Sequence, residues 1–192
     1  MPIFHWSCCV PRSMDLTPPC SLQSCSYRLP STCWWLMPME TRDFVLPDAV
    51  LVRGYNVHVD CVHDARWLPR TILRRAVETV LCGENVRDAR IGIVLCDDTM
   101  IRMVNVRYLG HDWTTDVITF PLNTDPIEGE IYISVDTARR QAAEAGVSLR
   151  NELVRLVVHG VLHLLGYDDR TKAQRQQMHA RQEKYVEHIL HS

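Results

Sequence analysis

Residues 159–169 read HGVLHLLGYDD, with two histidines four positions apart in an otherwise apolar run. On an α-helix, positions i and i+4 lie on one face with Cβ atoms about 5–6 Å apart. The imidazoles of His159 and His163 can therefore reach a single metal ion. Gly166 is suited to end the helix in a left-handed conformation, which would turn an acidic side chain back toward the histidines. The stretch predicts a metal site with two histidines and one aspartate at the end of a long apolar helix.

The alternative interpretation is a pair of core histidines, but burying two imidazoles without partners costs free energy. Two histidines and one carboxylate would leave a fourth position open to water, which is typical of catalytic rather than structural zinc. A bound ion lowers the pKa of that water and makes it a nucleophile. Metalloproteases of the H-E-x-x-H type carry a glutamate after the first histidine as general base. Here that position is Gly160, which transfers no proton, so the sequence argues against a peptidase.

The chain has 192 residues, the length of one domain with a substantial core. Its formal net charge of −2 gives no general attraction to nucleic acid or to a membrane, so an anionic partner requires a local basic patch. No C-x-x-C pair is present, which argues against a zinc ribbon. The sequence contains no secretory signal pattern and no apolar run long enough to cross a bilayer. We therefore expect a cytoplasmic protein that does not enter membranes.

Residues 1–40 differ in composition from the rest of the chain. They contain five of the eight cysteines, several prolines and few charges. We expect this segment to be an atypical extension that is poorly ordered or follows a mis-assigned start. The functional domain is predicted to cover residues 45–192.

Apolar periodicity in that domain predicts the element order β-α-β-α-β-β-α-α-α. This order is typical of a compact α/β (α+β) domain, with a mixed sheet of about four strands packed against helices. It does not determine which strands pair. The predicted strands cover residues 49–60, 91–95, 116–120 and 130–135, with a stop at Pro121 and a turn over 123–129. The predicted helix caps are Asp64, Asp97 or Asp98, Asp136, Ser148 and Thr171.

Three segments, in the same order, are similar to the bacterial YbeY family of rRNA maturation factors. Residues 159–169 resemble the family motif H-G-x-L-H-L-x-G-Y-D-H and differ from it only at the last position. Residues 115–121, TDVITFP, resemble the family's T-D-V-L-S-F-P, and they follow a family-like Asn105, Tyr108, Gly110 and Asp112. Residues 129–134, GEIYIS, resemble the strand G-D-I-x-I-S. The resemblance covers about residues 90–185.

The resemblance implies a metal-dependent endoribonuclease that cleaves single-stranded RNA. It also implies a role in 3′-end maturation of small-subunit rRNA and in ribosome quality control, with ribosomal partners. The implied cofactor is one zinc ion, and the family's third histidine ligand falls on Asp169. A carboxylate is an accepted zinc ligand, and its hard oxygen also suits manganese or iron. The catalytic group would be a metal-bound water held by His159, His163 and Asp169.

Other residues near these motifs are weaker candidates. Asp168 is expected to orient a ligand or cap the turn. Leu109 stands where many family members carry an arginine thought to act on the RNA phosphate, and leucine cannot stabilise developing negative charge. Arg107 is a possible substitute, although a solvated helix residue is the simpler interpretation. His111 is a weak candidate for substrate contact, and Asp116, at the start of a strand, is either a capping carboxylate or a partner of a ligand histidine.

Two other functions remain open at this point. Leu109 and Asp169 also fit a ribosome assembly factor with weak or no nuclease activity. A metal-activated water is not restricted to RNA, so a metal-dependent hydrolase of another substrate class is the third hypothesis.

Overall fold

A computed structural model describes residues 54–64 and 67–191 of the chain. The predicted α+β class, with a four-stranded mixed sheet and the predicted element order, is confirmed. The extension predicted for residues 1–40 and the domain start near residue 45 lie outside the described residues. The elements are β1 (Gly54–Cys61), α1 (Arg70–Gly83), β2 (Asp88–Cys96), α2 (Asp98–Leu109), β3 (Val117–Thr124), β4 (Ile127–Ser134), α3 (Val135–Ala145), α4 (Leu149–Leu164) and α5 (Lys172–His191).

The sheet has the strand order β1-β2-β4-β3. Strands β1, β2 and β4 run parallel, and β3 runs antiparallel to β4. Within the described residues, β1 and β3 are therefore the two edge strands. No helix in the described ranges is long and apolar enough to cross a bilayer.

Helix α4 lies at the centre of the main core, and 12 of its 16 residues are buried. Alternate side chains of β2 and β4 point toward it, as the period of two in a strand requires. Each fully buried leucine or isoleucine contributes about 1.5–3 kcal/mol relative to exposure. This burial explains why the sequence around the two histidines is so apolar. The sheet residues of this core include Ile91, Ile93, Leu95, Ile131 and Ile133.

A smaller apolar cluster lies on the face of the sheet that points away from α4. Cys96, Ile101 and Ile118 are buried there, and Leu109 and Phe120 pack against them. Helix α2 covers this face only in part, so several of its side chains remain in solvent.

Two glycines allow α4 to approach the sheet closely. A Cβ at position 160 would lie 2.8 Å from Cγ2 of Ile131 and 3.1 Å from Oγ1 of Thr119. A Cβ at Gly129 would collide with the Leu164 side chain of α4, whose Cδ1 would lie 2.9 Å away. Gly160 therefore has a packing role in addition to its inability to act as a base.

Strand β2 is longer than predicted, at Asp88–Cys96 in place of 91–95, and three other boundaries differ for identifiable local reasons. Helix α1 begins at Arg70, after Pro69, and not at Asp64. Helix α3 is capped by Ser134, whose side chain accepts a hydrogen bond from the Thr137 amide, and not by Asp136. The caps by Asp97 and Ser148 are as predicted, and each accepts a hydrogen bond from the amide of the third residue of its helix.

The third difference is strand β3, which continues through Pro121 to Thr124. Proline has no amide hydrogen, but an edge strand can place the missing donor on its unpaired side. The pairing with β4 shifts register between Pro121 and Asn123. The turn predicted over 123–129 is therefore reduced to the short connection between Thr124 and Ile127.

Candidate metal centre

Helix α4 brings the two predicted histidines together near its C-terminal end. The Nε2 atoms of His159 and His163 lie 3.1 Å apart, and both side chains are buried. A carboxylate oxygen of Asp169 joins them, so that the three ligand atoms lie within 4.8 Å of one another. Among the described residues, this is the only group of three or more histidine, cysteine or acidic side chains with such a geometry.

The turn after α4 returns Asp169 to the histidines. Gly166 has a φ of 88°, the left-handed conformation predicted for it. The Gly166 amide donates to the carbonyl of His163, and the Tyr167 amide donates to the carbonyl of Leu162, each at 3.0 Å. These bonds satisfy the last carbonyls of the helix and reverse the chain direction.

Hydrogen bonds at the other ring nitrogens fix both imidazoles. His163 Nδ1–H donates to the carbonyl oxygen of Tyr167, and His159 Nδ1–H donates to Oε1 of Gln182, each at 3.0 Å. Gln182 Nε2 donates in turn to Glu183, which sets the orientation of the amide. Both acceptors hold the proton on Nδ1, so the Nε2 lone pairs of the two histidines face each other.

Burial keeps both rings neutral. It lowers the pKa of His159 to about 4, and the neighbouring His163 contributes to the shift. Burial also lowers the pKa of His163, while the charge of Asp169 acts in the opposite direction. Neutral imidazole is the form that binds metals. Two lone pairs at this distance repel unless a cation lies between them, so the donor set fits a metal ion.

A cluster around Glu84 holds the ligand-bearing turn in place. The carboxylate of Glu84 accepts hydrogen bonds from the hydroxyls of Tyr167, at 3.0 Å, and Tyr185, at 2.6 Å. Arg181 binds it through two nitrogens, at 2.7 and 3.1 Å. Burial raises the pKa of Glu84, but these bonds outweigh burial and hold that pKa below its usual value. Since the Tyr167 carbonyl orients His163, the Glu84 cluster connects α1 and α5 to the metal site.

Gln182 and Glu84 were not predicted from the sequence. One sequence signal could have found Gln182, because its helical spacing from Met178 and Tyr185 places it on the same face as these two apolar residues. A glutamine on a buried face requires a hydrogen-bond partner.

Two of the other candidates stabilise loops. Asp168 accepts hydrogen bonds from the amides of Asp169 and Arg170 and so caps the turn. Asp116 is buried and accepts hydrogen bonds from the Val117 amide and from Gln141. Its charge raises the pKa of His159, but the contacts of its carboxylate are to its own loop and to α3.

The remaining candidates lie around the α2–β3 connection, outside the donor group. Arg107 is exposed, with its guanidinium 5.6 Å from the centre of the Tyr108 ring. His111 stacks on Trp113. Leu109 is half-buried and packs against the smaller apolar cluster.

Comparison with known proteins gives concordant results. The family model described as endoribonuclease YbeY matches residues 61–190. A Chloroherpeton thalassium protein named endoribonuclease YbeY is 44% identical over 125 residues, covering 65% of this chain and 89% of its own length. A Desulforamulus reducens protein of the same name is 42% identical over 151 residues, covering 73% and 97%.

A solution structure of a Thermotoga maritima protein is also similar, with a TM-score of 0.53 and 28% sequence identity. The match covers 69% of this chain and 88% of that one. The order of motifs, the fold and the matched family model agree, and the chain belongs to the endoribonuclease YbeY family.

Proposed function

We propose that this protein is a metal-dependent endoribonuclease that cleaves single-stranded RNA in the cytoplasm. We further propose that its substrate is the 3′ end of small-subunit rRNA, that it contributes to ribosome quality control, and that its partners are ribosomal. The observation that carries the proposal is the pair of facing Nε2 lone pairs with Asp169 beside them. The relatives named as endoribonucleases support RNA as the substrate.

The proposed ligands are His159, His163 and Asp169, and the proposed ion is zinc. Bound there, the ion would supply Lewis acidity toward a phosphoryl oxygen and a water of lowered pKa. The chain's own contribution is to hold both imidazoles neutral, with Nδ1 protonated and Nε2 directed at the ion. The Asp169 oxygen also suits manganese or iron, so metal content decides the identity.

The first test is metal content and RNA cleavage of His163→Ala, with elemental analysis and a labelled single-stranded RNA. We expect loss of the bound ion and of cleavage with retention of the circular dichroism spectrum. Full cleavage by metal-free His163→Ala would contradict the proposal.

A matched pair of aspartates tests the ligand set. Asp169→Asn should weaken metal binding by about 100-fold or more, since it removes a charged ligand where loss of an outer partner alone costs about 10- to 100-fold. Asp168→Asn retains the oxygen that caps the turn and should leave the affinity near that of the wild type. Equal metal affinity in the two variants would exclude Asp169 as a ligand.

The second candidate function is a ribosome assembly factor with weak or no nuclease activity. Leu109 favours it, since its half-buried position against the smaller apolar cluster supplies no positive charge to an RNA phosphate. Cleavage by the zinc- or manganese-loaded wild type and by Leu109→Arg distinguishes the two functions. Strong turnover by the wild type would exclude this alternative, whereas activity that appears only in Leu109→Arg would support it.

A further inference from the structure

Two large aromatic side chains are exposed near the end of α2, Tyr108 in the last turn of the helix and Trp113 in the connection that leads to β3. Trp113 is 51% exposed and Tyr108 is 60% exposed. Exposed aromatic groups close together on a folded surface commonly indicate a binding site, because leaving them in water gives up the free energy of burial. We call Tyr108, Trp113 and their ring partners the aromatic surface.

Both exposed rings are supported by other rings. His111 lies nearly parallel to Trp113, with ring centres 4.3 Å apart and an interplanar angle of 14°. Tyr108 packs edge-on against Phe120, with centres 5.3 Å apart, and Phe120 packs against Tyr132 at 5.8 Å. The supporting rings hold Trp113 and Tyr108 in defined orientations while leaving much of their surface in water.

The backbone of the connection is also anchored. The buried Asn105 side chain donates to the carbonyl of Trp113 at 2.8 Å, and the His111 amide donates to the carbonyl of Asn105 at 3.3 Å. Arg102 and Asp112 form an ion pair at 2.7 Å across the same connection. A ligand that stacks on Trp113 would therefore have little loop entropy to remove.

The α2–β3 connection leads into strand β3, which packs against the metal-binding helix α4. It ends at Asp116, where strand β3 begins, and Thr119 of β3 packs against Gly160, next to His159 in α4. Phe120, the next residue of β3, points to the other face of the sheet, where it packs against Tyr108. The aromatic surface and the metal-binding helix therefore lie on opposite sides of one edge strand, and a chain molecule that crosses this edge can contact both.

Arg107 supplies a positive charge beside Tyr108 that can contact an anionic ligand. The Arg107 guanidinium lies 5.6 Å from the centre of the Tyr108 ring and forms no ion pair among the described residues. Flat rings beside a cation match the bases and phosphates of a single strand, which stacks on aromatic side chains without sequence preference. A duplex presents no free base faces to such a surface.

Building on the proposed function, we propose that Trp113 and Tyr108 stack bases of the single-stranded RNA substrate, and that Arg107 contacts its phosphates. The rings fix the strand beside the metal-binding helix, so they contribute to substrate binding and not to the bond-breaking step. Trp113→Ala should therefore raise KM and leave kcat near its original value.

The test is fluorescence anisotropy of the zinc-loaded full-length protein with a labelled 2′-O-methyl oligonucleotide, which resists cleavage. Loss of one stacked base should raise the dissociation constant of Trp113→Ala by about 5- to 150-fold, and Trp113→Phe should restore most of the affinity. Trp67→Ala is the matched control, because Trp67 is 67% exposed but follows β1, at the opposite edge of the sheet. Arg107→Ala should lower the salt dependence of binding by about one unit of slope.

Equal affinities of Trp113→Ala and Trp67→Ala, or equally tight binding of a duplex, would overturn this proposal. Because Trp113→Phe keeps a flat ring, it tests stacking even if the alanine variant is unstable. If the wild type cleaves RNA and Trp113→Ala binds RNA as tightly as the wild type, the stacking role of the aromatic surface is refuted but the nuclease function is not. Binding that depends on Trp113 without any cleavage refutes the nuclease function alone.

Discussion

Replacing Gln182 by leucine tests how strongly the metal site depends on a residue from another helix. The side chain is 3% exposed, and its Oε1 is the acceptor for Nδ1–H of His159 at 3.0 Å. Leucine fills a similar volume but accepts no hydrogen bond. The substitution therefore isolates the effect of the acceptor on His159.

The size of the effect follows from two considerations. A buried N–H group left without an acceptor costs about 1–3 kcal/mol. Without that acceptor, the proton of the neutral ring is also free to move to Nε2, where it would block the ion. Loss of such a partner weakens metal binding by about 10- to 100-fold in comparable sites, which agrees with this cost. We therefore expect the zinc dissociation constant of Gln182→Leu to rise by about 10- to 100-fold.

The assay is competition for zinc with a chelating indicator, with circular dichroism to verify the fold. Gln176→Leu is the matched control, because residue 176 lies on the same helix and is exposed. It should bind zinc as tightly as the wild type. An unchanged dissociation constant in a folded Gln182→Leu protein would refute the assignment of Gln182 as the partner that orients His159.

Three further predictions concern stability and its pH dependence. Glu84→Gln removes the charge that Arg181 binds through two nitrogens, so we expect a loss of about 1.5–3 kcal/mol in urea unfolding and weaker zinc binding. Gly160→Ala places a Cβ 2.8 Å from Ile131 Cγ2. Overpacking of about 1–3 kcal/mol should exceed the gain of about 1 kcal/mol in helix propensity and lower the melting temperature. Folding lowers the pKa of His159 from 6.5 to about 4, so the unfolded chain binds more protons between these pH values. The metal-free protein should therefore lose about 3 kcal/mol of stability as the pH falls from 6.5 to 4.

Each of these predictions has a control in the same chain. Glu187→Gln changes an exposed glutamate of α5 and should leave stability and zinc binding unchanged. Gly92→Ala adds a Cβ at 3.6 Å from its nearest neighbour, so a loss equal to that of Gly160→Ala would argue against overpacking. The pH slope should become shallower in His159→Gln but persist when the exposed His58 is changed to glutamine. Equal slopes in these two variants would contradict the buried-histidine explanation.

The sequence was most informative where the structure depends on local spacing. His159, His163 and the left-handed Gly166 lie within eight residues, and helix geometry alone relates them. Gln182 and Glu84 act on the same site from other elements, with Glu84 83 positions before Tyr167. Their roles depend on how α1, α4 and α5 pack, and a periodic pattern does not specify that packing.

The ends of strands were also hard to predict, because they depend on which strands pair and the sequence does not specify that pairing. Pro121 predicts the end of a strand, because proline interrupts the hydrogen-bond ladder of a central strand. It is tolerated because β3 is an edge strand, and edge position follows from the pairing order and not from local sequence. Likewise, Asp64 has a suitable capping side chain, but α1 begins six residues later, after Pro69.

The position of Gln182, 23 residues after His159 in the chain, has a consequence for biosynthesis. A growing polypeptide emerges amino terminus first, so all three proposed ligands appear before the helix that orients His159. The metal site is complete only after α5 has been synthesised and has packed against α4. A partly made chain would thus carry the ligands without the fixed tautomer. The proposed RNA-cleaving activity would therefore begin only after α5 has been made and the fold is complete.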